Sequence, residues 1–271
     1  MREDDVYIDD YLLQDDGLII TLDSEESLLP PVRNNSVTIP GRPGAYDFGG
    51  EFDVRPFNLI CVKFSDSHTN FKFDTRKFSG RFKDQYGKLK TVKLRFGDEP
   101  DKFYWVRLTS GIPIEKLAKN GRFVLPLTAY DPAAYSIVTS DEVTWGSTEL
   151  TFASSYEFGH MGTGVVNVTA PQTINYTVTG DYLKPKIEIT GSATSLTISA
   201  NGRSISLPSF SNVTWVIDGE MYDVLKNGQN AIGEVIGPFN PIEFFNGDNE
   251  LQITGTGLNF TLKVPIRDKY S

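Results

Sequence analysis

The chain has two histidines, His68 and His160, and a single cysteine, Cys61, so metal and nucleophile chemistry has few residues to work with. A structural zinc site takes about four Cys or His ligands, and these three cannot supply it. A Ser-His-Asp arrangement around His160 would need a partner serine, and no G-x-S-x-G elbow occurs. The run GHMGTG (159–164) has the look of a phosphate loop. A dinucleotide fingerprint must open a helix, however, whereas Val165, Val166 and Val168 continue here as a strand. No G-K-[ST] follows a glycine-rich loop. Acids cluster at Asp4-Asp5, Asp9-Asp10, Asp15-Asp16 and Asp218/Glu220/Asp223, none with EF-hand spacing, and they read as solvated turns. A glycosidase needs two carboxylates at a set separation, which 35 acids in one sequence do not single out. The reading is of a protein that is not an enzyme and has no catalytic residue, cofactor or metal.

A different chemistry is open to aromatic side chains. Trp145, Trp215, Tyr182, Tyr222, Phe244 and Phe245 could stack on sugar rings, although Trp215 in VTWVID reads equally well as core.

The elements that would position such residues are mostly strands. In the C-terminal half, TINYTVTG, PKIEITG, TSLTISANG, NELQITG and NFTLKV alternate apolar and polar residues. Period two marks a strand with one face on a core and one in water. Asn-Gly at 120–121, 201–202, 227–228 and 246–247, with Asp-Gly at 218–219, supplies hairpin signals between them. Lys184-Pro185 and Leu207-Pro208 fit strand ends, where a missing amide does no harm. The N-terminal half adds strand candidates at 17–22, 58–64, 89–96, 102–108 and 122–130. One helix is expected near 68–86, capped by Ser67 or Thr69 and ended by Gly87. Its spacing puts Phe71, Phe78, Phe82 and Tyr86 on a core face, with Lys72, Arg76, Lys83 and Asp84 in water.

The 271 residues suffice for two β domains, and the break is placed at AYDPAAYS: a domain over 1–135 and another over 136–271. No apolar run is long enough to span a bilayer, and the acidic start does not look like an export signal. The N-glycosylation patterns at Asn34, Asn167, Asn175, Asn212 and Asn259 therefore carry little weight. Cys61, alone in the apolar run NLICVKF, is expected to be a buried thiol. A net charge of −9 argues against stable binding to nucleic acid or to an anionic membrane.

The run IPGRPGAYDFGGEFDVRP (39–56) fits none of these patterns. It is too punctuated for a helix and too aromatic for a linker. It reads as a tight turn leading into a strand, with Tyr46, Phe48 and Phe52 packed in the core of their own subunit or, alternatively, against a neighbour.

That run, followed in order by LRFGDEPDKFYWVRLTSG (94–111) and GRFVLPLTAYDPAAYS (121–136), resembles the distal tail protein (Dit) family of phages with long non-contractile tails. The C-terminal segments PKIEITGSATSLTISANG, VIDGEMYDVLKNGQN and NPIEFFNGDNELQITG extend the resemblance over nearly the whole chain. Gly41, Gly44, Tyr46, Phe48, Asp98, Pro100, Tyr104, Asp131 and Pro132 carry the signature. The resemblance implies a mainly β fold: an N-terminal ring-forming β domain with one α-helix and a C-terminal galectin-like β-sandwich. It implies a homohexameric ring at the virion tail tip, assembled in the host cytoplasm. The ring would join the tail tube protein to the tail-associated protein, with receptor-binding or baseplate proteins outside and a channel for DNA within. The alternative is a stand-alone carbohydrate-binding β-sandwich that recognises host glycans.

Overall fold

A computed structural model describes residues 5–21, 24–27, 29–117, 120–139 and 164–271. His160, Trp145 and most of GHMGTG lie outside the described residues. The chain is mainly β with one α-helix among the described residues, and divides into two compact units, Met1–Ala134 with Ser271, and Tyr135–Tyr270.

In the first unit the strands are β1 (Val6–Ile8), β2 (Tyr11–Leu12), β3 (Leu18–Ile20), β4 (Glu25–Glu26), β5 (Val32–Val37), β6 (Tyr46–Phe52) and β7 (Arg55–Lys63). The helix α1 (His68–Gly80) follows, then β8 (Val92–Phe96), β9 (Lys102–Leu108), β10 (Glu115–Leu117) and β11 (Asn120–Ala129). The main sheet runs β2-β1-β8-β9-β11-β7-β3, with β4 added on β7 and β10 on β11. Its axis is the antiparallel ladder of β7 and β11, unbroken from Gly121↔Lys63 to Ala129↔Arg55. Burial alternates along both strands, so Phe123 faces Cys61, Leu125 faces Leu59 and Leu127 faces Phe57 on the core side.

The helix covers that ladder. Ser67 caps it by accepting from the Asn70 amide, 3.2 Å. Phe71, Phe78 and Phe82 are buried, and Phe78 packs on Phe123 with centroids 6.0 Å apart. Gly121 is where the helix comes closest: a Cβ there would lie 2.6 Å from Phe71 Cζ. Tyr86 departs from the expected stripe and is exposed. The helix ends at Gly80, because the chain then folds back through the Lys83↔Leu89 bridge. Asp84 holds that turn by accepting from the amides of Tyr86 and Lys88, both 2.8 Å.

The second unit is a β-sandwich. Its strands are β12 (Ala134–Ser136), β13 (Val166–Val168), β14 (Gln172–Val178), β15 (Lys186–Ala193), β16 (Ser195–Ala200) and β17 (Arg203–Leu207). They continue with β18 (Phe210–Asp218), β19 (Asp223–Lys226), β20 (Gln229–Asn230), β21 (Gly247–Thr256), β22 (Asn259–Lys263) and β23 (Lys269–Tyr270). One sheet runs β13-β22-β15-β18-β19-β20 and the other β14-β21-β16-β17. Their inner faces share a core around Trp215, with Phe244, Ile189, Ile198, Leu251 and Leu262.

The Asn-Gly pairs prove to be of two kinds. Asn201-Gly202 (φ 48 and 77) and Asn227-Gly228 (φ 50 and 78) are two-residue hairpin turns, as their sequence predicts. Asn120-Gly121 instead opens a strand, and Asn246-Gly247 leads into β21. Asp218-Gly219 begins a longer loop, in which Asp218 accepts from the Met221 amide at 2.9 Å. At Gly121 and Asn246 distant contacts set the backbone, whereas at Asp218 the hydrogen bond is local.

Two glycines separate packing from propensity. Gly121→Ala is expected to destabilise the protein by about 1–3 kcal/mol, because Phe71 must move. Gly80→Ala has nothing within 4 Å of the new Cβ and is expected to stabilise the helix by up to about 1 kcal/mol. Urea unfolding of both variants reads the two opposite signs.

Candidate functional site: an exposed β arm

Among the described residues strands β5 and β6 pair only with each other, as a two-stranded sheet apart from the main one. All of residues 31–52 are exposed. The run met in the sequence as a turn is therefore an arm, and its aromatics are not in the subunit's own core. Tyr46 and Phe52 are exposed, and Phe48 is exposed at 70%. Val32, Val37 and Ile39 add to the same uncovered apolar surface.

Local chemistry explains the form of the arm. Val32↔Phe52 and Arg33↔Glu51 pair at its base, and Val37↔Tyr46 near its tip. Between them the register shifts, so that Phe48 and Gly49 both lie opposite Asn35. Gly49 takes φ 88 at this bulge, and Asp47 accepts its amide at 2.9 Å. A Cβ at Gly50 would lie 2.8 Å from Asn34 Oδ1, so the exposed Asn34 side chain would have to move. Gly41 and Gly44 take φ 82 and 85 in the loop between the strands, and the Arg42 guanidinium lies 4.6 Å from the Tyr46 ring centroid. The Arg33–Glu51 pair at 2.9 Å raises the arginine pKa, first through the hydrogen bond and then through the opposite charge. Both partners are in water, where such pairs add little stability.

The other signature residues lie elsewhere. Asp98 and Pro100 form the turn between β8 and β9, where Asp98 accepts the Glu99 amide at 3.0 Å. Tyr104 is buried on β9, 4.9 Å centroid to centroid from Phe57. Asp131 and Pro132 follow β11, and Asp131 accepts the Ala133 amide at 3.3 Å. The nine residues thus mark turns, core and arm. Sequence reading missed the arm's first strand, because VRNNSV shows no clean alternation. The signal present was the glycine-rich loop with extended residues on both sides.

An open cleft of about 510 Å³ lies beside the start of the helix, lined by Asp15, Asp16, Lys63, Asp74 and Lys77 among others. Lys63, Asp74, Lys77 and Asp16 are engaged in ion pairs there. Lys63 pairs with Asp74 at 3.0 Å and also donates to the Asp16 carbonyl. Arg81 and Lys77 reach the Asp16 carboxylate at 2.8 and 3.7 Å. This network ties the helix to the segment before β3. Among the described residues no group of three or more His, Cys, Asp or Glu could hold a metal, and no helix is long and apolar enough to cross a membrane.

Cys61 is buried, and desolvation pushes its pKa up from 9.0 to about 12. It should resist alkylation at pH 8 in the native protein and label fully in denaturant. The sign of its pH effect follows. Below pH 9.0 the thiol is protonated in both states, while between 9.0 and about 12 the unfolded chain loses the proton first. Stability should therefore fall with rising pH across that window, by at most about 1.4 kcal/mol per pH unit from this group. Denaturation from pH 8 to 11 should show a shallower fall in Cys61→Ala.

Comparison with known proteins agrees with this fold. Residues 12–129 match the family model of the phage tail protein RIFT-related domain. Over nearly its whole length the chain is similar to the solved Dit protein of phage SPP1, described as a paradigm of the hub adsorption apparatus in phages infecting Gram-positive hosts. The match has a TM-score of 0.70 at 15% identity and covers 98% of this chain and 99% of that one. The chain therefore has the distal tail protein fold. Two structures of the phage p2 baseplate in its activated conformation, with strontium and with calcium, match at 12% identity. Their TM-scores are 0.44 and 0.41, covering 94% and 95% of this chain and 92% of each of those chains. No curated protein matches the chain in sequence.

Proposed function

We propose that this protein is the structural hub at the distal end of a phage tail. Six copies close a ring that joins the tail tube protein to the tail-associated protein at the tip. The ring leaves a channel for DNA and presents its C-terminal sandwich to receptor-binding or baseplate proteins. In this reading residues 1–135 build the ring and 136–271 project from it. The protein works in the virion after assembly in the host cytoplasm, and it is not an enzyme.

The observation that carries the reading is the exposed arm. A two-stranded hairpin is marginal on its own in water. This one displays Tyr46, Phe48 and Phe52 along unpaired strand edges, a combination that calls for a covering partner. A closed ring of identical subunits supplies one, since each copy offers two different surfaces and the arm of one can lie on the next. Charge fits the channel. At −9 per chain, six copies carry six times that charge, which repels a DNA backbone and favours its passage over its retention.

Light scattering across a concentration series tests this. The ring has a mass of six times 30.2 kDa, about 181 kDa. The triple variant Tyr46→Asp, Phe48→Asp, Phe52→Asp should run as the 30.2 kDa monomer. Its far-ultraviolet circular dichroism should match the parent's, because these side chains are outside the core of the subunit. A parent protein that stays monomeric even with tube and tip proteins added would overturn the ring. A ring that survives the triple variant would remove the arm from its assembly.

A further inference from the structure

Besides the charged cleft, the first unit has a depression of about 260 Å³ on the outer side of its main sheet, lined by Ile60, Pro113, Glu115, Arg122, Phe123 and Val124. Alternation along the central ladder puts it there. Cys61 and Phe123 face the core, so the neighbouring pairs Ile60↔Val124 and Val62↔Arg122 face outward. Ile19 on β3, opposite Val62, continues this surface and is exposed, as is Val124. Apolar side chains from three neighbouring strands therefore meet water here. An apolar cavity of about 150 Å³ takes a benzene molecule, so this depression has room for a phenyl ring.

The arm carries such a ring. Phe48 is exposed more fully than Tyr46 or Phe52, and it stands at the bulge that Gly49 and Asp47 hold in shape. Charge agrees with shape. Asp47 is next to Phe48 on the arm, and Arg122 is exposed beside the depression. Farther along β6 come Glu51 and then Asp53, while farther along β11 comes Thr128, with Arg107 opposite it on β9. From 47 to 53 and from 122 to 128 is in each case six residues, about 20 Å of extended chain. The acids of the arm thus repeat the spacing of the two arginines.

We infer that the depression at Ile60, Pro113 and Val124 receives Phe48 from the arm of a second copy, with Asp47 beside Arg122 and the acids at the base of the arm beside Arg107. This rests on the ring reading and names the surface on which the arm lies. In a closed ring the two sides of each contact are different patches of the same chain, and the arm and this depression are two such patches. An aromatic side chain in a desolvated pocket, with charged groups around it, is the kind of centre on which a protein contact depends. The cleft beside the helix offers no such seat, since Lys63, Asp74, Lys77 and Asp16 within it are already ion-paired.

Replacing Phe48 by p-benzoylphenylalanine keeps an aromatic ring at the bulge and lets light link it to whatever it touches. Irradiating a mixture of isotopically labelled and unlabelled chains, then sequencing the linked peptides by mass spectrometry, should give links between copies at Ile60, Pro113 or residues 122–124. Val124→Glu should raise the concentration at which half the ring forms by at least about 10-fold. Its circular dichroism should match the parent's, because Val124 is exposed. A ring whose links fall on another surface or on the same chain, or one that Val124→Glu leaves unchanged, would overturn this seat while the ring reading stands. Links to an added tube or tip protein in place of a second copy would overturn it too. A parent that never exceeds 30.2 kDa, with or without those proteins, would remove the ring and the seat together.

Discussion

The ladder between β7 and β11 is the interaction on which the first unit depends. It joins residues 55–63 to residues 121–129, and so closes a long loop containing the helix, β8, β9 and β10. Closing a loop of that length has an entropic cost, which burial must offset. The paired residues Phe57/Leu127, Leu59/Leu125 and Cys61/Phe123 supply that burial on one face, and Phe71, Phe78 and Phe82 roof it from the helix. Gly121 belongs to this constraint. With a side chain there, the helix could not sit as close.

The arm is anchored by the same ladder. β6 ends at Phe52 and β7 begins at Arg55, so the exposed hairpin runs almost directly into the most tightly held strand. Its base is further placed by the Asp53 amide donating to the Pro31 carbonyl at 2.7 Å. A mobile apolar segment would pay ordering entropy on assembly. A hairpin rooted in a rigid strand pays less, since its direction is already set. Stability and exposure are thus divided between neighbouring segments: β7 is buried on alternate residues, while β6 is exposed throughout.

The sandwich unit holds its ends by buried and half-buried polar groups. Asp268 accepts from Thr179 Oγ1 at 2.7 Å, and Arg267 donates to the carbonyls of Ser136 and Ile137, fixing both chain ends of that unit. Asn249 does the same for the loop before β21. Each such group is costly to bury unpaired, so each ties its loop to one geometry. The exposed Phe245 is placed by the loop before β21 and not by the sheets alone.

The sequence determined by itself what depends on near neighbours. Period-two alternation revealed β14, β15, β16, β21 and β22, β7 and β11 stood out as strand candidates at 58–64 and 122–130, and 3.6-residue spacing with a serine cap revealed the helix. Asn-Gly marked the turns at 201–202 and 227–228, where two residues alone set the backbone. The ordered blocks around Gly41, Tyr104 and Asp131 pointed to the distal tail family. Only the tertiary structure decided what depends on distant partners. Tyr46 and Phe48 have the composition of core residues, yet both are exposed. Tyr86 keeps the helical spacing but lies beyond the helix end. Asn246-Gly247 carries a hairpin signal that Asn249 overrides. Tyr182 and Phe245, 63 positions apart, come together because a bridge at Leu183 and Phe244 unites their segments. Apolarity is written in each residue, whereas burial depends on whether another part of the fold reaches it.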